Sequence, residues 1–233
     1  MTSHSGSIST QEIRELLPQQ PIIFDVGANT GSHTRRFMLT SRQAVVHCFE
    51  PEPRTWPALF KIMQMPAGSA VKRGRSYMTE NKDGGRVWLH AVAVGRKDGT
   101  VLFHQSDGED KEWLDSGSIK TPTAHLTEHP WVKFDRTIEV SVVSLDSWDT
   151  KFRVPRVDYM HIDVQGAEGD VFAGGREVLA KTRYVYAEFN VGSVPLYEGA
   201  LSLDQTLSAL GAQWEAVAIY ERCNVLCRNK AAI

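Results

Sequence analysis

Four carboxylates in this chain stand where short apolar runs stop. Asp25 closes Ile22-Ile23-Phe24, Glu50 closes Ala44 to Phe49, Asp163 follows Met160-His161-Ile162, and Glu188 sits in Tyr186-Ala187-Glu188-Phe189-Asn190. Apolar runs of this length between turn signals are buried strands, so each carboxylate marks a strand end. In open α/β sheets, ligands bind in the crevice at those ends. A carboxylate there can accept hydroxyl hydrogen bonds, take a proton from an acceptor, or hold a hard cation.

The turn after Asp25 narrows the choice of ligand. Gly27 lets the backbone approach a ligand closely, and Gly31 lets the following helix pack on its strand. The spacing Asp25-x-Gly27-x-x-x-Gly31 lacks the middle glycine of a dinucleotide fingerprint and adds a negative charge. That charge repels a pyrophosphate and suits a ligand with a cationic amino group. Glu50 lies roughly twenty positions beyond the turn, where nucleotide-binding α/β folds hold ribose hydroxyls.

The segments DVGANTGSHT (25–34), HCFEPEP (47–53), AVAVGRKDGTVLF (91–103), VSVVSLDSW (140–148) and YMHIDVQGAEGDVFAGG (159–175) resemble the FkbM family of S-adenosylmethionine-dependent methyltransferases. The resemblance runs from about residue 21 to residue 190, in family order. It implies a Rossmann-like class I methyltransferase fold: a mostly parallel seven-stranded sheet with helices on both faces. It also implies S-adenosylmethionine as cofactor, and O-methylation of a sugar, glycan or polyketide-like hydroxyl. On this resemblance the cofactor site comprises Asp25, Gly27, Ala28, Asn29, Gly31, Thr34, Glu50, Ala93 and Asp163. An N-methyltransferase on the same scaffold, or a binding module without turnover, stays open as an alternative.

S-adenosylmethionine brings its own leaving group, so the protein must mainly position the acceptor oxygen and remove its proton. A sugar hydroxyl is too weak an acid to ionise unaided, which calls for a base or a metal. Asp163 is the first candidate base and Glu188 the second. His161 shares a face with Asp163 two residues earlier in the strand and is a third, though many family members carry lysine there. Asp163, Glu188 and Asn190 together form an oxygen-ligand set suited to Mg²⁺ or a similar divalent cation.

The elements that must position these groups alternate between strand and helix, giving α/β architecture. A single methyltransferase domain over residues 1–233 is expected, with residues 1–10 as a flexible tail. Ser9 or Thr10 can cap a short helix over Gln11–Leu17, and residues 66–85 look like an irregular surface loop. Lys97-Asp98-Gly99 marks an inserted β-hairpin between strands at about 87–94 and 100–104. Residues 105–137 show no dominant period and are expected to form a lid over the acceptor, with Trp113, Ser116 and Ser118 as substrate contacts. One helix is expected over Ala167–Ala180, weakened by Gly174-Gly175.

With 233 residues and a net charge of −2, the chain has no global field to recruit nucleic acid or an anionic membrane. Its three cysteines follow no disulfide or zinc spacing and fit free thiols in a reducing cytosol, giving a cytoplasmic expectation. No stretch is long and apolar enough to span a membrane. The resemblance implies a small-molecule or glycan acceptor as partner, and the oligomeric state is left open.

Overall fold

The run Ile22-Ile23-Phe24 becomes a central strand because both of its faces can be buried. Ile23, Phe24, Asp25 and Val26 are wholly inaccessible to solvent, and near-continuous apolar runs are what parallel strands covered on both sides require. Phe24 and Val26 pack into one core with Met160, Ile162 and Val185. Ile23 packs into a second core with Val46, Cys48 and Tyr159 on the opposite face. Each such fully buried side chain contributes about 1.5–3 kcal/mol.

The computed structural model describes residues 1–64 and 71–232, residues 71–73 through their backbone. The strands are β1 (Thr2–His4), β2 (Ile22–Val26), β3 (Val45–Phe49), β4 (Val71–Arg73), β5 (Ser76–Glu80), β6 (Arg86–His90), β7 (Ala93–Val94), β8 (Gly99–Gly108), β9 (Val132–Val143), β10 (Val157–Ile162), β11 (Thr182–Glu188), β12 (Trp214–Tyr220) and β13 (Asn224–Asn229). The helices are α1 (Thr10–Leu16), α2 (Ser32–Met38), α3 (Trp56–Ile62), α4 (His125–Glu128), α5 (Leu145–Phe152), α6 (Glu168–Ala173), α7 (Arg176–Ala180) and α8 (Leu203–Leu210). Residues of α1, α2 and α3 cover one face of the sheet, and residues of α5 to α8 cover the other.

The main sheet is larger and more mixed than the seven mostly parallel strands expected. Among the described residues it has ten strands, in the order β1-β12-β13-β11-β10-β2-β3-β6-β5-β4. The run from β11 through β10, β2 and β3 to β6 is parallel, while β13 is antiparallel to both neighbours. Two additions extend the edges. Residues 2–4, expected as a tail, pair in parallel with β12. Of the loop expected over 66–85, residues 66–70 lie outside the described residues, and the remainder forms the antiparallel β4–β5 pair against β6.

The expected hairpin is also repaired. Strand β8 does not return along the 87–94 segment but pairs antiparallel with β9, and β7 joins β9 from the other side in a separate three-stranded sheet. The pairing reaches Gly108 and Val132, so the aperiodic segment is shorter than 105–137. Ser9 caps α1 in a reciprocal box with Glu12, satisfying two backbone donors. Over 167–180 there are two helices in place of one. A Cβ on Gly174 would lie 2.1 Å from the Gly95 carbonyl oxygen, so the backbone breaks where it passes that loop. Among the described residues no helix is long and apolar enough to cross a membrane.

Candidate active site

The turn between β2 and α2 is built by close backbone approach. Gly27 has a φ of 86°, and a Cβ there would fall 1.8 Å from the Asp163 carbonyl oxygen. The amides of Gly27 and Ala28 both donate to the Phe49 carbonyl, at 3.0 and 3.1 Å, joining the ends of β2 and β3. Gly31, at φ 89°, brings α2 against Leu59 and Ile62 of α3. Asn29 is a non-glycine residue at φ 48°, a conformation that the surroundings must enforce. Its amide donates to Glu50 Oε2 at 2.6 Å, and its side chain donates to the Leu114 carbonyl and to Asp115 at 3.2 and 2.8 Å.

Asp25 does not aim its charge into the crevice. It is fully buried, receives a 2.6 Å hydrogen bond from the Thr34 hydroxyl, and lies 3.0 Å from His161 Nδ1. Burial pushes its carboxyl up, but the His161 contact and the Thr34 hydroxyl together hold it below the usual aspartate range. His161 in turn meets His33 edge-on at 4.2 Å and stacks with Tyr186. Asp25, Thr34 and His161 thus form a buried cluster behind the turn. Ala28 is likewise buried in the core on that side.

In front of the turn lies a cleft of about 600 Å³, lined by Gly27, Asn29, Glu50, Ala93, Asp163 and Gln165 among others. The expected residues Gly27, Asn29, Glu50, Ala93 and Asp163 therefore meet in one place, whereas Asp25, Ala28, Gly31 and Thr34 support it from behind. The lining holds Glu50, Glu52, Asp115 and Asp163 and no lysine, arginine or histidine among the described residues. Glu52 is paired with Arg54 at 2.9 Å and receives the Gln105 amide. Burial pushes the Glu50 carboxyl up to about 8, against the pull of the Asn29 and Glu52 amides.

These residues fit S-adenosylmethionine. Its sulfonium and ammonium groups match an anionic lining, and Asn29 Oδ1 is a buried acceptor without a protein partner, ready for a donor. Glu50 presents the carboxylate that two vicinal hydroxyls require.

A second cavity of about 800 Å³ lies beside the cleft and is lined by Glu168, Glu188, Phe189, Asn190, Leu196 and Tyr197 among others. Gln165 lines both cavities. Its backbone sits at φ 53°, and its side-chain nitrogen donates to Asp163 Oδ1 at 2.7 Å and to Glu188 Oε2 at 3.3 Å. Burial, and then the neighbouring Asp163 charge, push the Glu188 carboxyl well above the ordinary range. Burial likewise raises Glu168 to about 7, although it accepts the Val164 and Gly166 amides.

The three residues expected to hold a cation are engaged in protein hydrogen bonds. Asn190 donates its side-chain amide to the Gly192 carbonyl at 2.6 Å, and the Gln165 amide already bridges Asp163 and Glu188. Among the described residues no group of three His, Cys, Asp or Glu side chains could hold a metal ion.

Within the segment between β8 and β9, Leu114, Asp115, Gly117, Ser118 and Ile119 line the first cleft, and Glu128 of α4 lines the second cavity. Ser118 donates its hydroxyl to the Gln165 carbonyl at 2.7 Å. Ser116 is fully engaged: it accepts from Trp113 Nε1, its amide donates to Ser106, and its carbonyl accepts the Tyr197 hydroxyl. Trp113 packs edge-on against Trp131. Trp113 and Ser116 hold the lid together and line neither cavity.

Gln165, Leu114, Asp115 and Tyr197 are the site residues that the sequence did not single out. The adjacent Gly166, at φ 92°, was the one local sign of an irregular turn at Gln165.

Residues 25–219 match the family model described as the methyltransferase FkbM domain. The chain is 39% identical over 230 residues to the 2-O-methyltransferase NoeI of Sinorhizobium fredii, covering 97% of this chain and 86% of that protein. It is 26% identical over 164 residues to Methyltransferase 1 of Beauveria bassiana, covering 67% of this chain and 59% of that one. It is 24% identical over 179 residues to the hexuronic acid methyltransferase AglP of Haloferax volcanii, covering 76% of this chain and 59% of that one.

Proposed function

This chain belongs to the FkbM methyltransferase domain family, and from that premise we propose that it moves a methyl group from S-adenosylmethionine to a hydroxyl oxygen of a sugar-like small molecule or glycan. The observation that carries the proposal is the pair of cavities sharing Gln165, with Asp163 in the wall of one and Glu188 in the wall of the other. Two relatives whose names specify O-methylation and a hexuronic acid substrate support a sugar acceptor.

When bound, S-adenosylmethionine supplies an electrophilic methyl group on a sulfonium. Glu50 would hold the ribose hydroxyls, and Asn29 with its neighbouring carboxylates would receive the cationic amino-acid end. Ala93 and its neighbours give the adenine an apolar wall. The segment around 114–119 closes the cleft from water, as one methyltransferase domain with the sheet beneath it.

The chain's chemical task is to take the acceptor hydroxyl proton as the oxygen–carbon bond forms. Asp163 and Glu188 act as a coupled pair that receives this proton, with Gln165 fixing their separation. Glu188 faces the second cavity, and a carboxylate raised by burial is a stronger base once ionised. No divalent cation is assigned a part in this reading, in which the Gln165 amide donates to both carboxylates.

Calorimetry with S-adenosylhomocysteine and NAD, followed by transfer of labelled methyl to a glycan panel, tests this reading. Binding of S-adenosylhomocysteine alone, with alkali-stable label on the glycan, is expected. NAD binding in the same cleft would overturn it.

A further inference from the structure

We propose that the methyl acceptor of this enzyme is a carbohydrate with no negative charge near the reacting hydroxyl, a neutral or amino sugar and not a uronic acid. The inference rests on the reading of the second cavity as the acceptor site and adds the charge of what that site takes.

The cavity's only residues of formally charged type, among the described residues, are acidic. Glu188, held beside Gln165, lines it together with Glu168 and with Glu128 of α4. No lysine, arginine or histidine is among the described lining residues. The basic groups that reach α6, Lys120 and Arg96, are both paired with Asp170 and are not part of the lining. The rest is apolar surface: Phe189, Leu196 and Tyr197 form a wall suited to the C–H face of a sugar ring.

A buried carboxylate needs a cation or several donors to replace its water. Here it would meet Glu188, which already resists ionisation because of burial and the Asp163 charge. A second anion beside it would raise Glu188 further and remove the ionised base. Sugar hydroxyls, by contrast, donate to Glu188 and stabilise its charged form. An amino group would do so more strongly.

An array of oligosaccharides with matched hexose, hexosamine and hexuronate termini, incubated with methyl-labelled S-adenosylmethionine, tests the inference. Label is expected in neutral or amino termini over their uronate counterparts by a factor on the order of 100, as like-charge juxtaposition commonly gives. Equal or preferred labelling of uronates would overturn it. In Glu128→Lys the margin against uronates should shrink, and an unchanged margin would contradict an electrostatic origin. No label on any member, with S-adenosylhomocysteine binding intact, would overturn the carbohydrate assignment and this inference with it. Loss of S-adenosylhomocysteine binding in the wild-type chain would instead strike the methyltransferase reading beneath.

Discussion

Gln165 donates its side-chain nitrogen to Asp163 at 2.7 Å from a backbone held at φ 53°. A glutamine in left-handed backbone is strained, and the strain here places one amide between two acids on neighbouring strand ends. A charge-assisted hydrogen bond of this kind contributes about 1.5–3 kcal/mol.

Gln165→Ala should therefore lower kcat by roughly 10- to 150-fold, with a much smaller change in S-adenosylhomocysteine affinity. The alkaline rise of kcat should also move to higher pH, because Glu188 loses a donor that favours its charged form. Steady-state kinetics from pH 6 upward, beside calorimetry, would read both effects. An unshifted profile would remove Gln165 from the proton pathway. Chelator treatment of the wild-type enzyme should leave kcat unchanged, and rescue by added Mg²⁺ would restore the cation that Asp163, Glu188 and Asn190 were expected to bind.

Cofactor affinity should depend on pH through Glu50. Its folded carboxyl is raised to about 8, so at neutral pH the free protein holds a proton there. Ribose hydroxyls donate to the charged form, so binding expels the proton and tightens as pH rises toward that value. The gain approaches tenfold per pH unit. Titrations with S-adenosylhomocysteine in buffers of different ionisation enthalpy would detect proton release. Glu50→Gln should abolish the release, flatten the pH dependence and weaken binding.

His161→Ala should act on stability more than on chemistry. The ring is buried and tied to Asp25, so its loss leaves a buried carboxylate short of a partner at a cost of about 3 kcal/mol. For a chain of this size that corresponds to a fall in Tm of roughly 6–12 °C. Asp25 has a lowered folded pKa, so its contribution is present above the ordinary aspartate value of 3.8 and fades as pH falls below it. The Tm deficit should narrow in the same direction. A variant with wild-type Tm and no turnover would make His161 the base.

The turn that lines the first cleft was legible in the sequence because its determinants are local. Gly27, Asn29 and Gly31 lie in one turn, and Glu50 follows at the end of the next strand. What that spacing did not convey was direction: Asp25 and Thr34 belong to the motif but face each other and His161 across the sheet. The second cavity was less legible. Gln165 matters through a backbone angle that composition does not reveal, and Tyr197 reaches Ser116 across 81 positions of chain. The pairing of β8 with β9 is similarly long-range, so the alternation within each strand could not name its partner. Gly174-Gly175 was visible as a weak point, but only the approach of Gly95 explains why the helix breaks there.

The most direct test measures transfer of labelled methyl by Asp163→Asn/Glu188→Gln while its affinity for S-adenosylhomocysteine is followed in parallel. These substitutions keep size and leave an oxygen to accept the Gln165 amide, while removing both negative charges and the ability to take a proton. The expected result is S-adenosylhomocysteine binding retained within about tenfold, with kcat reduced by about 10²–10⁴, the usual loss for a missing general base. Turnover within a few-fold of the wild-type enzyme would contradict proton removal by the Asp163–Glu188 pair.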